Sequence, residues 1–442
     1  MSTIVIAPLY WHSDLNATFA LAKKLERAGH RVHYVCIPDL EERIRAQGFD
    51  FVSIFSSVFP RGTLARQAAN EAVGKYLGAA GINDRVKSMC DLCRNGELTN
   101  ATRHLHPDLF LVSNHLPWAG IEAWKTRLPV IMFSSIIVFA SDSMVPPGGS
   151  DIIPSPDLRS RLHVWWEWKK TRLLGKLVAR VSGMWKSAAY LKELAVATGY
   201  PVSKIDFSVT PWPRLLLPEL IFFPEWFGFQ RAKPMEGAFY VEPSVNADRK
   251  DKDFPFEKLD SRPLIYCSVG TLITFKHLAM VRQFFHVLLE ALGQRPNLQA
   301  VVAIGNFLKP EEFSCPENVI LTDDAPQVAL LKRARLMVGH AGAGCIREGA
   351  FYGVPMLLLP MAFDAPGNAA RVAYHGMALR ADFRKVSAQE LIGALDKLLN
   401  DPSYSESAKR MSQRLREVED EAPSLAIIQR ALAGDSFLTP GR

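Results

Sequence analysis

Residues 324–372 contain the side chains best suited to bind an anionic ligand. His340 ends the apolar run Leu336–Gly339, and Gly342 and Gly344 follow it before a stretch that lacks proline. Glycine lets backbone N–H groups approach phosphate oxygens, and a helix N-terminus carries a partial positive charge. The spacing therefore predicts a strand, a glycine loop and a helix that together hold the diphosphate of a nucleotide.

A carboxylate, that of Glu348, follows the glycine loop four residues after Gly344. Cys345–Tyr352 is predicted to be a helix with Glu348 on its first turn, where the carboxylate can accept hydrogen bonds from both hydroxyls of a ribose. A second apolar stretch, Val354–Leu359, predicts the next strand of a parallel α/β unit. Glycine turns also occur where a strand and a helix merely pack together, so the complete set of residues decides between the two interpretations.

Taken in order, these residues resemble the donor-binding signature of nucleotide-sugar glycosyltransferases of GT-B architecture. That family includes the plant secondary-metabolite, macrolide, sterol and carotenoid glycosyltransferases. The matching positions are Ala325, Pro326, Gln327, Leu330, Leu331, His340, Gly342, Glu348, Gly353, Val354, Pro355, Pro360, Asp364 and Asn368. The resemblance implies an α/β protein with two Rossmann-like, doubly wound domains that face each other across a cleft.

Length and composition agree with more than one domain. The chain has 442 residues, of which 48% are hydrophobic, enough for more than one core. The predicted parts are an acceptor-binding domain (1–240), a linker (241–260), a donor-binding domain (261–420) and a C-terminal tail or helix returning to the first domain (421–442).

The first domain begins with a βαβ pattern. Apolar periodicity predicts a strand over Ile4–Leu9, a helix over Ala17–Ala28 and a strand over Arg31–Ile37. Leu109–Ser113 is predicted to be a later strand of the same sheet. Residues 211–229 are rich in proline and aromatic side chains, which predicts irregular structure there.

By the same resemblance, the donor site is formed by Gly270, Thr271, Gln327, His340, Gly342, Ala343, Gly344, Cys345, Glu348, Asp364 and Asn368. The implied contacts are the distal phosphate for Gly270 and Thr271, the base for Gln327, the diphosphate for His340 and residues 342–345, the ribose for Glu348, and the sugar hydroxyls for Asp364 and Asn368. Asp364 is alternatively the N-cap of a helix that begins near Pro366.

Three positions depart from the family pattern. Ala365 stands where a glutamine is the usual second ligand of the sugar, which leaves room for a deoxy- or amino-sugar. Cys345 replaces a serine or threonine that donates to phosphate, a loss of about 1 kcal/mol. Asp324 replaces the tryptophan that stacks on uracil in plant members, so UDP and dTDP both remain candidates.

The resemblance places the catalytic base in the loop after the first strand. Many members have a histidine where Asp14 stands here, whereas sterol-type and some antibiotic-type members carry an aspartate. Asp14 is therefore the first candidate base, and His12, whose side chain titrates nearer neutrality, is the second. Asp14 is also suited to cap a helix over Leu15–Ala28, and one residue can serve both as cap and as base. A third alternative is that neither Asp14 nor His12 is the base.

A second acidic residue is missing from its expected place. In members with a histidine base, a distant aspartate orients that histidine. The corresponding segment here, Pro107–His115, has Ser113 and Asn114 where the aspartate is expected. This favours Asp14 over a histidine–aspartate dyad.

The implied reaction is a single in-line displacement that inverts the anomeric carbon, with the nucleotide sugar as co-substrate and neither a cofactor nor a metal ion. Candidate acceptor-binding residues are Asn114, Trp118 and Phe133. The many aromatic side chains of the first half favour a lipophilic, hydroxyl-bearing acceptor such as a polyketide, macrolide, terpenoid or hydroxylated lipid.

The net charge of +7 and the pI near 9.0 allow a polyanionic partner. No aromatic–basic RNA motif or helix-turn-helix pattern accompanies that charge, so we expect no nucleic-acid partner. Arg159–Lys186 combines four tryptophans with eight basic residues. Such a stretch is typical of an ordinary surface helix, of the entrance to a binding site for a lipophilic acceptor, or of a helix that lies on an anionic membrane.

Cysteine usage and the lack of a long apolar run predict a cytoplasmic protein, either free or peripheral at the inner membrane surface. We expect a monomer or a dimer. Two other functions stay open. One is a glycosyltransferase-like protein that binds a nucleotide or a partner without transferring sugar, and the other is a lipid glycosyltransferase that works at the membrane surface.

Overall fold

The computed structural model of the chain describes residues 1–64, 79–137, 140–183, 185–208, 213–270, 277–305, 308–436 and 438, without the side chains of residues 12, 79, 80 and 182. These residues form two compact units. Unit 1 contains residues 1–147, 154–246 and 421–442, and unit 2 contains residues 148–153 and 247–420.

Unit 1 is built on a parallel sheet whose seven described strands have the order β3-β2-β1-β4-β5-β8-β9. Nine strands are described in unit 1, seven of them in this sheet: β1 Thr3–Ala7, β2 Arg31–Cys36, β3 Asp50–Ser53, β4 Leu109–Ser113, β5 Val130–Ser134, β6 Ile205–Asp206, β7 Arg214–Leu215, β8 Glu219–Ile221 and β9 Ala238–Tyr240. Strands β6 and β7 pair with each other in antiparallel fashion. Every residue of β1, β4 and β5 is buried, as expected for a parallel sheet covered on both faces.

The helices of unit 1 before the linker are α1 His12–Arg27, α2 Glu41–Ala46, α3 Ala79–Arg94, α4 Glu97–Thr102, α5 Pro117–Trp124, α6 Leu158–Ser182 and α7 Trp185–Thr198. Helix α1 buries Leu15, Phe19, Ala22 and Leu25, the spacing of one helical face. It begins five residues before the predicted start, because the apolar face is preceded by a polar first turn that periodicity does not detect.

The prediction of irregular structure over residues 211–229 was wrong for part of that segment. Glu219–Ile221 forms β8, which pairs in parallel with β5 and continues the main sheet. The strand has only three residues and lies between Pro218 and Pro224. So short a segment between prolines shows no apolar alternation that would predict a strand.

Unit 2 is a second parallel α/β unit. Its six described strands have the order β12-β11-β10-β13-β14-β15. They are β10 Leu264–Ser268, β11 Gln299–Ala303, β12 Val319–Thr322, β13 Ala334–Gly339, β14 Met356–Leu358 and β15 Ala378–Arg380. The described helices are α8 Leu278–Gly293, α9 Gln327–Leu331, α10 Ala343–Phe351, α11 Ala365–Tyr374, α12 Ala388–Asn400 and α13 Pro402–Glu421.

A final helix, α14 Pro423–Leu432, belongs to unit 1. The carboxylate of Glu242 is completely buried and accepts hydrogen bonds from Lys24 Nζ at 3.1 Å and from the backbone N–H of Ser424 at 3.1 Å. Because a buried carboxylate is costly without partners, this cluster ties the start of α14 to α1.

Both sheets reverse their strand order beside their first strand. In unit 1, the chain continues from β1 to β2 on one side, and β4 pairs with β1 on the other side. In unit 2, β10 pairs with β11 on one side and with β13 on the other. The loops after the two central strands diverge at such a reversal, and ligands of open α/β sheets bind there, at the carboxyl ends of the strands.

No helix within the described residues is both long enough and apolar enough to cross a membrane.

Candidate active site

In unit 2, the loops after β10 and β13 meet around the imidazole of His340. A Cβ built on Gly270 lies 2.3 Å from His340 Cε1, and one built on Gly342 lies 2.5 Å from His340 Nε2. Gly270 also has a φ of +78°, which disfavours other residues. Both glycines are therefore required by the close approach of this ring, and the ring in turn fixes the two loops.

His340 is a neutral hydrogen-bonding group at neutral pH. Burial lowers the pKa of its side chain to about 4, although a hydrogen bond with the backbone of Ser268 raises it slightly. Its Nδ1 is buried and has no hydrogen-bond partner in the described part of the chain. The imidazole therefore offers a ligand a neutral dipole rather than a fixed positive charge.

The predicted strand, loop and helix around His340 are confirmed as β13, the glycine loop and α10. Gly342 is the N-cap of α10 and supplies no side-chain capping bond, so the first N–H groups of the helix are left to other acceptors. The prediction for Glu348 was wrong in one respect. Because α10 already begins at Ala343, Glu348 lies on its second turn rather than its first.

The carboxylate of Glu348 is buried and held by two donors. Arg249 Nη1 donates to Oε1 at 2.7 Å, and Gln327 Nε2 donates to Oε2 at 2.7 Å. The side chains of Arg249 and Glu348 are only 5% and 6% exposed. Burial alone lowers the pKa of Arg249, but the carboxylates of Glu348 and Asp251 raise it above its usual value, so the pair stays ionic.

Gln327 connects this pair to the start of α10. Its Oε1 is 3.3 Å from Tyr266 Oη and 3.5 Å from Cys345 Sγ. Burial raises the pKa of Cys345 to about 12, so the group is a thiol that donates to Gln327. The side chain that stands in place of the family's serine or threonine is thus directed at Gln327 in this structure.

Asp364 and Asn368 lie together at the start of α11. Asn368 Nδ2 is within hydrogen-bond distance of Asp364 Oδ2 at 2.8 Å and of the Ala341 carbonyl at 3.0 Å. Ala341 has a φ of +63°, an unusual value for alanine, and the amide of Asn368 helps to hold it. The predicted N-cap position of Asp364 is confirmed, since α11 begins at Ala365, but its side chain makes no capping hydrogen bond.

A short segment, Gly148–Ile153, belongs to unit 2 although it lies between two elements of unit 1 in the sequence. The N–H of Gly367 donates to the carbonyl of Gly148 at 3.1 Å, and a Cβ on Gly367 lies 2.4 Å from that oxygen. Sequence reasoning missed this contact, since a Pro-Pro-Gly-Gly run shows a turn but not its distant partner.

Three other positions were singled out in the sequence for the donor site. Thr271 lies outside the described residues. Ala365 is buried as the first residue of α11. Asp324 is exposed, and its carboxylate is 3.8 Å from Lys252 Nζ.

In unit 1, Asp14 lies in the first turn of α1 at the end of β1. Its side chain is 1% exposed. Oδ2 accepts from the N–H of Leu9 at 2.7 Å, and Oδ1 accepts from the hydroxyl of Ser135 at 2.8 Å. The N-cap of α1 is Trp11, so the prediction that Asp14 caps this helix was wrong. The carboxylate instead joins the loops that follow β1 and β5.

His115, after β4, is the residue that sequence reasoning missed. Its Nδ1 is 3.9 Å from Asp14 Oδ1, is buried, and has no hydrogen-bond partner among the described residues. The ring is tilted against Trp11, with 5.5 Å between ring centroids. A histidine two residues beyond a predicted strand was visible in the sequence, but only the strand order places it beside Asp14.

The residues of unit 1 that were predicted to bind the acceptor contact other parts of unit 1. Asn114 Nδ2 donates to Glu219 Oε1 at 2.9 Å. Trp118 and Phe133 are buried in the hydrophobic core, where the Phe133 ring contacts Phe222. The side chain of His12 lies outside the described part of the structure. In the described residues, no group of three or more histidine, cysteine, aspartate or glutamate side chains is placed to hold a metal ion.

Replacement of Arg249 by alanine is expected to lower the free energy of unfolding by about 3 kcal/mol, because it leaves the buried carboxylate of Glu348 without its cation. Urea denaturation measures the change. Lys252→Ala is the control, since Lys252 is 65% exposed and its ion pairs are long, so its loss should cost under about 1 kcal/mol. Equal effects of the two substitutions would contradict the structural importance of the Arg249–Glu348 pair.

The low pKa of His340 predicts a loss of stability in acid. The unfolded chain takes up this proton near pH 6.5 and the native protein only near pH 4, so the contribution is complete above pH 6.5 and is lost as the pH falls towards 4. Its full size is up to about 3 kcal/mol. Denaturation of the protein and of His340→Gln across this range should show a weaker pH dependence for the variant. Identical curves would show that His340 is not the responsible group.

Comparison with known proteins agrees with this geometry. Residues 260–420 match the family model described as UDP-glucoronosyl and UDP-glucosyl transferase. The uncharacterized UDP-glucosyltransferase YojK of Bacillus subtilis (strain 168) is 31% identical over 426 residues, which cover 94% of each chain. Zeaxanthin glucosyltransferase of Pantoea ananas is 24% identical over 97% of this chain and 95% of its own length.

Among solved structures, the glycotransferase of kitacinnamycin is similar with a TM-score of 0.71 and 22% identity, covering 98% of this chain and 99% of that chain. This likeness and the two parallel-sheet units confirm the predicted GT-B fold. The identity to YojK over almost the whole chain, together with the family match to unit 2, shows the family. The chain belongs to the UDP-glucoronosyl and UDP-glucosyl transferase family and is a glycosyltransferase.

Proposed function

We propose that the protein transfers a sugar from a UDP- or dTDP-sugar to a hydroxyl group of a lipophilic small molecule, with inversion at the anomeric carbon. The observation that carries the donor half is the arrangement after β10 and β13. There, His340, Gly270 and the uncapped N-terminus of α10 converge at the strand-order reversal of unit 2. The lipophilic acceptor is supported by the similarity over almost the whole chain to a protein named zeaxanthin glucosyltransferase.

The donor nucleotide is bound in this proposal by neutral donors and one carboxylate. The N–H groups of α10 and the neutral imidazole of His340 stabilise the diphosphate as negative charge grows on it. Glu348 accepts from the ribose with the lone pairs that Arg249 and Gln327 leave free. Asp364, fixed by Asn368, accepts from sugar hydroxyls. No cofactor or metal ion is invoked.

For the acceptor proton, we propose that Asp14 acts together with His115. Asp14 is almost fully buried and both its oxygens already accept hydrogen bonds, which makes direct contact with an acceptor hydroxyl difficult. A closure of the 3.9 Å gap between Asp14 Oδ1 and His115 Nδ1 would fix the tautomer with its proton on Nδ1. His115 Nε2 then takes the proton, and the carboxylate of Asp14 stabilises the imidazolium that forms.

The first test is donor binding, measured as a thermal shift with UDP, dTDP, GDP and their common sugars. A ligand at a hundred times its Kd stabilises the native state by about 2.7 kcal/mol. We expect stabilisation by UDP or dTDP and little by GDP. Glu348→Gln should weaken the response to UDP, which has two ribose hydroxyls, more than the response to dTDP, which has one. No shift with any nucleotide would support a protein that works through a partner without sugar transfer.

The second test concerns proton transfer. Asp14→Asn should reduce kcat by a factor of a hundred to ten thousand while donor binding is unchanged, since it removes the charge but keeps the shape. His115→Gln should have a similar effect, and the double variant should lose little more, because the two groups act as one unit. Turnover is measured with a lipophilic alcohol that the wild type accepts.

Asp39→Asn is the matched control for Asp14→Asn. Asp39 also accepts from backbone N–H groups in unit 1, those of Gly62 and Leu64, but it is not part of the proposed pair. It should retain activity. Full activity of His115→Gln beside an inactive Asp14→Asn would assign the proton to Asp14 alone.

A further inference from the structure

Helix α6 (Leu158–Ser182) has an apolar surface that the described structure leaves open to solvent. Nine of the sixteen exposed large apolar side chains among the described residues lie on this one helix. Leu173 is 71% and Val181 82% exposed. From Thr171 to Val178, a span of more than two helical turns, every residue is exposed. Such a concentration is unusual for a surface helix and indicates a binding face.

The helix is nevertheless anchored to unit 1 at defined points. Val164 is buried, and Trp168 Nε1 donates to the carbonyl of Val145 at 2.8 Å. Asp157 caps the N-terminus by accepting from the N–H of Ser160 at 2.9 Å. At the other end, Asn83 Nδ2 donates to the carbonyl of Gly183 at 3.0 Å. The exposed side chains are therefore presented by a fixed helix.

Four of the nine exposed apolar residues follow one side of α6. Leu162, Trp166, Leu173 and Leu177 are separated by four, seven and four residues, which aligns them along a helix. Basic residues border this stripe. Lys169 Nζ lies 5.3 Å from the centroid of the Trp165 ring, so a cation and an aromatic ring occupy the same surface.

The helix also carries most of the excess positive charge of the chain. It contains seven arginine and lysine residues and one glutamate, Glu167, which is paired with Lys170 at 2.5 Å. The whole chain has 52 basic and 45 acidic residues, and without α6 these become 45 and 44. The basic character of the protein is thus concentrated beside its largest exposed apolar surface.

We propose that this face of α6 docks on the surface of a membrane that contains anionic phospholipids. Tryptophan and leucine side chains would enter the boundary between headgroups and acyl chains, and the flanking lysine and arginine residues would pair with lipid phosphates. A second copy of this face is disfavoured, since it would bring two sets of seven cations together. If the proposed acceptor is a lipophilic alcohol, the same contact would bring unit 1 to the phase in which that alcohol dissolves.

The test is co-sedimentation of the full chain with vesicles, without donor or acceptor, so that sugar transfer does not enter the result. One set of vesicles contains phosphatidylcholine alone, and the other an equimolar mixture of phosphatidylcholine and phosphatidylglycerol. We expect binding to the anionic vesicles only, and weaker binding at high salt. Lys169→Gln with Lys176→Gln should reduce the affinity about thirtyfold.

Matched variants distinguish the contribution of the α6 face from the effects of misfolding and of net charge. Trp165→Ser with Trp166→Ser should abolish binding, whereas Trp165→Phe with Trp166→Phe should keep it and shows that the fold tolerates changes there. Lys125→Gln with Lys385→Gln removes the same charge elsewhere on exposed positions and should leave binding unchanged.

Several results would overturn the proposal. They are absence of binding to the anionic vesicles, unchanged binding of the Lys169/Lys176 variant, and a lipid-free dimer that the tryptophan-to-serine variant disrupts. Equally strong binding of the wild type to single-stranded polyuridylate, insensitive to the tryptophan substitutions, would assign the face to a general polyanion instead.

Discussion

The reversal of strand order beside β1 and beside β10 is the constraint on which both sites depend. Because each sheet is parallel, all of its strands end on one edge, and the chain leaves the two central strands towards opposite sides. Since the two strands are paired side by side, the loops that follow them start next to each other. This brings Asp14 and His115 together in unit 1, although 101 positions separate them. The same geometry brings Gly270 to His340 in unit 2.

Buried charge then decides how each site is built. A carboxylate removed from water has to be hydrogen-bonded or paired, and in each of these sites at least one partner comes from a distant part of the chain. Glu348 takes an arginine from the segment before β10, and Asp14 takes a backbone N–H from its own loop and a hydroxyl from the loop after β5. Such arrangements hold the carboxylates in one orientation before any ligand arrives, which lowers the cost of reorganisation during reaction.

The sequence was sufficient for the fold and for the residues that occur as a local pattern. The strand, glycine loop and helix around His340 could be predicted because glycine spacing and apolar periodicity are local properties. Arg249 could not be predicted as a partner of Glu348, since it lies 99 positions away in a polar run without a motif. His115 and the Gly148 carbonyl were missed for the same reason. Short strands such as β8 escaped because three residues between prolines show no period.

The proposed donor site in unit 2 and the exposed surface of α6 differ in how they carry positive charge. The proposed donor site of unit 2 relies on an imidazole that is neutral at physiological pH, on backbone N–H groups and on an arginine already neutralised by two carboxylates, so it contributes little net positive charge. The basic surplus of the chain lies on α6 instead. A high pI is often taken as a sign that a nucleotide-binding protein attracts its anionic ligand through net charge. In the proposed donor site the diphosphate is matched by oriented dipoles. The net charge is found instead where tryptophan and leucine side chains face solvent, the combination on which the proposed docking to an anionic lipid surface rests.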